Sequence, residues 1–154
     1  MKPEHINPFI EAALSVFQSL LDTEAEAGDI YQKSSPVPVC DIIIMIGIVG
    51  KIRGQVCFEI AFDTAKKIVS TMMGGIPIEN LDEVSLSAIA ELGNMIMGNT
   101  CTLFSENNIL IDITPPSILT GDKIQISNKI ATIGIPLDVS NYGMIHMNIT
   151  VEEL

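Results

Sequence analysis

The sequence predicts an α+β fold in which a mainly antiparallel β-sheet is packed by a long helix and two further helices. The chain has 154 residues, 47% of them hydrophobic and 18% charged, which excludes a disordered chain and suffices for one buried core. Apolar residues recur at helical spacing in three segments and at strand spacing in most others. The order of helix, strands, two helices and strands is typical of α+β proteins. One domain over residues 1–154 is therefore expected.

The first part of the chain is expected to form one helix and a meander of three strands. Asn7 and Pro8 offer an N-cap and a first-turn proline for a helix that runs to Leu21. The second strand candidate, CDIIIMIGIVG, has a β-branched run that suits a central strand buried on both faces. It is too short to cross a membrane. The three candidates read EAEAGDIYQK, CDIIIMIGIVG and KIRGQVCFEIAF.

Two helices and four extended segments are expected in the rest of the chain. Asp63 can cap a helix that runs through Met73 and stops at Gly74 and Gly75, because glycine accepts the left-handed conformation common at helix ends. The long helix is expected from about Asp82 to Phe104. The extended segments read ILIDIT, DKIQIS, KIATIGIPLDV and GMIHMNITVEE, and the last two predict a hairpin across residues 140–143.

Charge and cysteine content narrow the classes of function. With 8 Lys and Arg against 19 Asp and Glu, the net charge of -11 argues against nucleic acid and anionic membranes as partners. Cys40, Cys57 and Cys101 form no CxxC pair, which favours a reduced, cytoplasmic setting. His5 and His146 lie near opposite ends of the sequence without the spacing of metal ligands, so no metal site is expected. The N-terminus has no apolar run typical of a secretory signal.

One face of the predicted long helix is unusually bare. Its apolar sector, which includes Ile89, Leu92 and Ile96, is expected to pack on the sheet. A solvated helix face normally carries several long charged side chains, whereas the opposite stripe offers one carboxylate, one amide and small residues. A glycine inside a helix costs about 1 kcal/mol relative to alanine, which here indicates close approach of another surface. The stripe consists of Ser87, Glu91, Asn94, Gly98 and Ser105.

The pattern alone leaves a second interpretation open. Glu91 can be a solvated surface acid and Asn94 an ordinary helix-face amide. Met95 flanks the stripe, and a methionine at helical spacing serves either as core filling or as an adaptable recognition surface. Pro115 and Pro116 are expected to mark strand ends, because proline cannot donate to a ladder.

The spacing Ser87-x-x-x-Glu91-x-x-Asn94, with a Pro-Pro pair further on, resembles the signature of the CheC/CheX/FliY family of chemotaxis phosphatases. The similarity extends to the segments NPFIEAA, MGG and NMIMGN and so covers nearly the whole chain. Family members of the CheC type resemble two pseudo-repeats with two such motifs. Because the first helix here has Glu11 but Leu14 where a second asparagine would stand, the resemblance implies a CheX-like member with a single motif.

The resemblance also implies a function. Members of this kind dephosphorylate the aspartyl phosphate of a CheY-type response regulator, a protein substrate that supplies its own magnesium ion. Asn94 corresponds to the amide that orients the attacking water, and Glu91 corresponds to the acid that pairs with the regulator's active-site lysine. Ser87 matches the Asp-or-Ser position of the motif, and we expect Met95 and Gly98 at the partner-binding surface. No cofactor of the chain's own is implied.

The residue types suit this chemistry independently of the resemblance. Hydrolysis of an acyl phosphate depends mainly on placing a water in line and balancing charge. An asparagine offers an acceptor for the water and a donor toward a phosphoryl oxygen, and it carries no charge that would repel the phosphoryl group. A carboxylate one turn away can hold a cation of the partner.

Two other functions stay open at this point. The chain can be a non-catalytic adaptor, similar to flagellar-switch relatives, which binds a regulator without hydrolysing anything. It can also be a structural homodimer in which the motif face is buried between subunits. CheX-like relatives dimerise through sheet edges, and the hairpin from Lys129 to Glu153 is expected to supply such an edge.

Overall fold

The computed structural model describes residues 1–33, 37–38 and 41–153, with side chains described outside residues 37–38. Within these ranges the chain forms three α-helices and ten β-strands. The helices are α1 (Pro3–Leu21), α2 (Phe62–Met72) and α3 (Glu83–Glu106). The strands are β1 (Ala25–Ala27), β2 (Tyr31–Lys33), β3 (Val37–Pro38), β4 (Ile42–Gly50), β5 (Ile52–Ile60), β6 (Ile111–Ile113), β7 (Ser117–Thr120), β8 (Gln125–Ile126), β9 (Thr132–Val139) and β10 (Gly143–Glu153).

An eight-stranded antiparallel sheet forms the centre of the fold and confirms the predicted α+β class. Its strand order is β1-β9-β10-β5-β4-β6, with β2 also paired to β9 and β7 also paired to β4. Strands β3 and β8 pair separately. The buried run of the sequence is β4, which has neighbours on both sides. Its first residues, Ile42, Ile43 and Ile44, are all fully buried, as expected for a strand covered on both faces. From Met45 onward the expectation is wrong, because buried residues alternate with half-buried ones and Val49 is 48% exposed.

The helices pack on one face of the sheet and enclose the hydrophobic core. Helices α1 and α3 contact each other through the edge-to-face rings of Phe9 and Phe104, whose centroids are 5.5 Å apart. Helix α3 lies close to β4 at Gly93, where an added Cβ would come within 2.9 Å of the Ile44 side chain. Because these contacts hold one side of α3 against the core, they fix which side of the helix faces outward.

The start of α1 differs from the prediction. The helix begins at Pro3 with Lys2 at the N-cap, and the expected capping pair Asn7 and Pro8 lies inside it. Proline is favoured in the first helical turn, and Pro3 occupies that position. Pro8 removes only the hydrogen bond to the carbonyl of Glu4, which lies in the first, exposed turn and can be hydrated.

The first strand candidate is not one strand, and it does not join the predicted meander. Its residues form β1 and β2, which both pair with β9 instead of β4. The division coincides with Pro136 in the middle of β9, which has no N–H to donate to a ladder. There the backbone N–H of Gly28, between the two short strands, donates to the carbonyl of Pro136 at 2.8 Å.

Three smaller differences concern the cap of α2 and the short strands β7 and β8. Asp63 does not cap α2, because Ala61 is the N-cap and the carboxylate of Asp41 accepts the N–H of Phe62 at 3.0 Å instead. The segment DKIQIS contributes only β8, which lies outside the main sheet. Strand β7 was not predicted. The expected stop after α2 is confirmed, since Gly74 and Gly75 adopt φ values of 79° and 93°.

The thiols of the described residues are free. Burial raises the pKa of Cys57 to about 12, and the nearby negative charge of Glu59 acts in the same direction. Burial also raises the pKa of Cys101. Both thiols therefore stay protonated at neutral pH, when they are poor nucleophiles. Cys40 lies outside the described residues.

Candidate functional site

Helix α3 begins where the sequence predicts. The side chain of Asp82 accepts the backbone N–H of Ser85 at 2.9 Å and so caps the helix. This hydrogen bond to the charged form lowers the pKa of the Asp82 carboxyl. The cap fixes the register of the first turn, and with it the direction in which every later side chain of α3 points.

The bare stripe faces outward, and the apolar sector faces the sheet. Ile89, Leu92 and Ile96 are at most 1% exposed, which confirms the predicted packing face. Of the candidate site residues, Ser87, Glu91 and Gly98 are exposed, and Asn94 and Met95 are half-buried. Met95 also packs against the edge of the core, so it belongs to the boundary between core and surface.

The polar groups of the stripe fall into two sets. Within the described part of the chain, the side chains of Ser87, Glu91 and Asn94 make no hydrogen bond or ion pair. Near the other end of the helix, the Ser105 hydroxyl donates to the carbonyl of Thr102 at 2.7 Å, and the Thr102 hydroxyl donates to the carbonyl of Gly98 at 3.3 Å. The groups free to bind something else are therefore those of the first set.

The two glycines inside α3 are not explained by the same structural feature. Gly93 is needed for packing, because a Cβ there would press into β4. At Gly98 an added Cβ would meet nothing within 4 Å, so no contact inside the described chain requires a glycine. Since glycine costs a helix about 1 kcal/mol relative to alanine, the reason for Gly98 lies outside the helix's own packing.

The proline pair lies close to β4. Pro115 and Pro116 connect β6 to β7, which confirms the prediction that they mark strand ends. The preceding residue, Thr114, fixes this connection, since its hydroxyl accepts the backbone N–H of Gly47 at 2.8 Å. Thr114 therefore holds the connection between β6 and β7 against the sheet.

The described residues contain neither a cluster of metal ligands nor a membrane-spanning helix. Across residues 1–33 and 41–153, no three His, Cys, Asp or Glu side chains converge on a point that could hold a metal ion. None of the helices in the same ranges is long and apolar enough to cross a membrane.

One residue of the outward face was missed by the sequence analysis. Val84 is 64% exposed and lies seven residues before Glu91, which is two helical turns along the same side of α3. The sequence contains the signal, because the spacing from Val84 to Ser87 and Glu91 is helical. The stripe identified from the sequence contains only polar residues and a glycine, so Val84 was not included in it.

A carboxylate and an amide one turn apart, both on the outer side of a rigid helix, define the kind of site. The two groups can donate a hydrogen bond, accept hydrogen bonds and balance a positive charge. Both groups are open to a molecule that docks on this face. The class is thus an α+β protein that presents an acid and an amide on one bare helix face.

Comparison with known proteins assigns this class to a family. The chain belongs to the chemotaxis phosphatase CheX family, whose profile matches residues 42–138. It is 31% identical over 151 residues to the CheY-P phosphatase CheX of Thermotoga maritima, covering 96% of this chain and 95% of that protein.

Two solved structures are similar over almost the whole chain. A CheC-like superfamily protein from Shewanella sp. PV-4 has a TM-score of 0.87 and 26% identity, covering 99% of both chains. The CheX chain of a CheX-CheY-BeF3-Mg2+ complex from Borrelia burgdorferi has a TM-score of 0.80 and 28% identity, covering 97% of this chain and 98% of that one.

Proposed function

We propose that this chain hydrolyses the aspartyl phosphate of a CheY-type response regulator. Its family is one of chemotaxis phosphatases, and a relative of nearly the same length is a CheY-P phosphatase. The observation that carries the proposal is the pair Glu91 and Asn94, both on the outer side of α3 and both without a partner among the described residues. An acid and an amide held in this way are available to a docked protein.

Asn94 is assigned to the reacting group. Its amide oxygen accepts a hydrogen bond from the attacking water, and its amide N–H donates toward a phosphoryl oxygen. The water is thereby held in line with the bond to the aspartate, and such positioning supplies most of the acceleration that phosphoryl transfer needs. Because Asn94 is only half-buried and bonds to no described neighbour, its amide can enter the partner's site without breaking an internal contact.

Glu91 is assigned to docking. It lies one helical turn before Asn94, and its carboxylate is exposed. An ion pair with the regulator's active-site lysine would be desolvated once the two proteins meet, and this strengthens it relative to a surface pair. A charged pair at a fixed distance from Asn94 also sets the register of the complex.

Ser87, Met95 and Gly98 are assigned to the surrounding contact. Ser87 adds a small polar group on the side of Glu91 away from Gly98. Met95 gives an apolar and adaptable surface at the edge of the core. The absence of a side chain at Gly98 allows the partner's backbone to approach the helix closely.

The regulator is proposed to supply the metal. The Borrelia burgdorferi complex contains Mg2+ and BeF3 together with CheX and CheY. Magnesium neutralises charge on a phosphoryl group and so makes it easier for water to attack. We assign no cofactor to this chain itself.

We also propose a homodimer through a sheet edge, but not through the hairpin of β9 and β10. That part of the prediction is wrong, because β10 lies between β9 and β5, and β9 is covered on its outer side by β1 and β2. Among the described strands, β6 and β7 form the edge beside β4. Their unpaired backbone groups can pair with a second copy.

The test is phosphate release from a phosphorylated CheY-type regulator in the presence of Mg2+. We expect the chain to accelerate release at substoichiometric concentration, and we expect the Asn94→Ala variant to bind the regulator but to lose most of the acceleration. Binding of the regulator without any acceleration by the wild-type chain would instead favour the adaptor function.

A further inference from the structure

The outer face of α3 continues past Ser87 into an apolar end. Val84 lies on the same side of the helix and is 64% exposed, although it is a β-branched residue in the first turn. Ile76, in the connection from α2 to α3, is 59% exposed. Neither side chain is held by the core, and both lie near the start of the helix that carries Glu91 and Asn94.

Beside Val84 there is a cleft between α3 and the connection that precedes it. Its volume is about 630 Å³. Met73 and Ile78, which pack against the core from the other side, belong to its lining, together with the exposed Pro77. Two carboxylates, Glu79 and Asp82, also line it. The cleft thus has apolar surface next to negative charge.

The charge of this cleft is not compensated within the described chain. Glu79 makes no ion pair there, and Asp82 uses one carboxylate oxygen to cap α3. The next residue, Glu83, is exposed and equally without an ion pair among the described residues. An occupant that places a lysine or arginine beside an apolar side chain would satisfy both features of the cleft.

A typical protein interface is large enough to include both the proposed site and the cleft. A specific complex buries about 800 Å² on each partner, which corresponds to a patch of roughly 16 Å radius. Asn94 is ten residues from Val84, about 15 Å along a helix. A regulator centred on Asn94 therefore extends as far as Val84 whenever it lies along the helix axis.

We propose that the cleft beside Val84 is a second contact point for the same response regulator, and that it takes an apolar side chain of the regulator flanked by a basic residue. This inference rests on the proposed function for the identity of the partner. It adds a determinant of which regulator is bound, because the motif residues recognise the phosphorylated site and the cleft recognises a surface outside it.

The test measures the affinity of purified variants for the regulator activated with BeF3 and Mg2+, which is not hydrolysed. Val84→Ser removes apolar surface without adding charge, and we expect it to weaken binding about tenfold. Leu110→Ser is the matched control, because Leu110 is 72% exposed and lies beyond the other end of α3. We expect that variant to bind within twofold of the wild-type chain. Thermal unfolding of both variants checks that the fold is retained.

A charge variant tests the second feature of the cleft. Glu79→Lys should weaken binding several-fold, and the loss should shrink at high salt, whereas the same change at Glu26 on β1 should have little effect. In hydrolysis assays, Val84→Ser should raise KM with little change in kcat, since it removes binding and not chemistry.

The outcomes separate this inference from the proposed function. If the wild-type chain binds the regulator without hydrolysis and Val84→Ser still weakens binding, the contact is supported and the phosphatase assignment falls. If hydrolysis is found but Val84→Ser binds as tightly as Leu110→Ser, the contact is overturned alone. A wild-type chain that binds no activated regulator overturns both.

Discussion

Asn94 and Asn99 are two asparagines of the same helix, and they allow the catalytic assignment to be tested with one kind of substitution. Asn94 lies on the proposed docking face, and Asn99 is exposed on a different side of the helix, where it lines a small cavity with residues of α1. We expect Asn94→Ala to lower kcat by roughly 100-fold, the usual effect of removing one positioned hydrogen-bonding group. Phosphate release under saturating regulator measures this.

The Asn99→Ala variant should stay within twofold of the wild-type rate. Asn94→Asp extends the test, because it keeps the shape but brings a negative charge toward the phosphoryl group, so we expect a loss at least as large as for alanine. Equal rates for the Asn94 and Asn99 alanine variants would remove Asn94 from the mechanism.

Glu91 is one of many exposed carboxylates, and its position one helical turn before Asn94 distinguishes it from the others. If Glu91 pairs with the regulator's lysine as proposed, Glu91→Lys places two cations together, so we expect at least tenfold weaker binding of the BeF3-activated regulator. Glu26→Lys changes the charge of the chain by the same amount on β1, at the opposite edge of the sheet from the strands that α3 contacts. If both variants bind equally, only the net charge matters and the lysine pairing is wrong.

At the level of the helix, the two glycines of α3 lead to opposite predictions for stability. Gly98→Ala should raise the free energy of unfolding by about 1 kcal/mol, because the new Cβ meets nothing and alanine is the better helix former. Gly93→Ala should lower it by about 1–3 kcal/mol, because the new Cβ overpacks against Ile44. Chemical denaturation of each variant measures both changes.

The same substitutions separate folding from function. We expect Gly98→Ala to bind the regulator more weakly even though the protein is more stable, since the added methyl group keeps the partner away from the helix. A Gly98→Ala variant that is stabilised and binds normally would leave the glycine without a role at the docking face.

Helix α3 was predictable from the sequence because its start and its two faces depend on local features. Asp82 is a favoured N-cap residue, and the period of the apolar residues determines the buried side. The orientation of Glu91 and Asn94 follows from these features alone. Local features do not show whether the two side chains are free of internal partners, because this depends on the rest of the fold.

The pairing of the strands was less predictable, since it depends on residues distant in sequence. The division of the first candidate into β1 and β2 coincides with Pro136, more than a hundred residues later in the chain. The N-terminal N–H of α2 is satisfied by Asp41, not by the local Asp63. Val84 was missed for a related reason, because exposure of an apolar residue is a property of the packed molecule.

The charge of the whole molecule affects its two proposed associations in opposite directions. Two copies that each carry a net charge of -11 repel one another, and salt screens this repulsion over a Debye length that falls from about 10 Å at 0.1 M to about 3 Å at 1 M. The proposed contacts with the regulator, at Glu91 and beside Val84, are attractions between opposite charges, and salt weakens these.

We therefore predict that raising NaCl from about 0.05 M to about 0.5 M strengthens the homodimer and weakens binding of the BeF3-activated regulator. Sedimentation equilibrium measures the first effect and calorimetric titration the second, on the same protein sample. Glu91→Lys should make regulator binding less dependent on salt, because it removes the proposed ion pair. Dimerisation of this variant should still become stronger as salt rises, because one substitution changes little of the net charge. A regulator affinity that rises with salt would mean that apolar contacts, and not the acidic groups of α3, dominate docking.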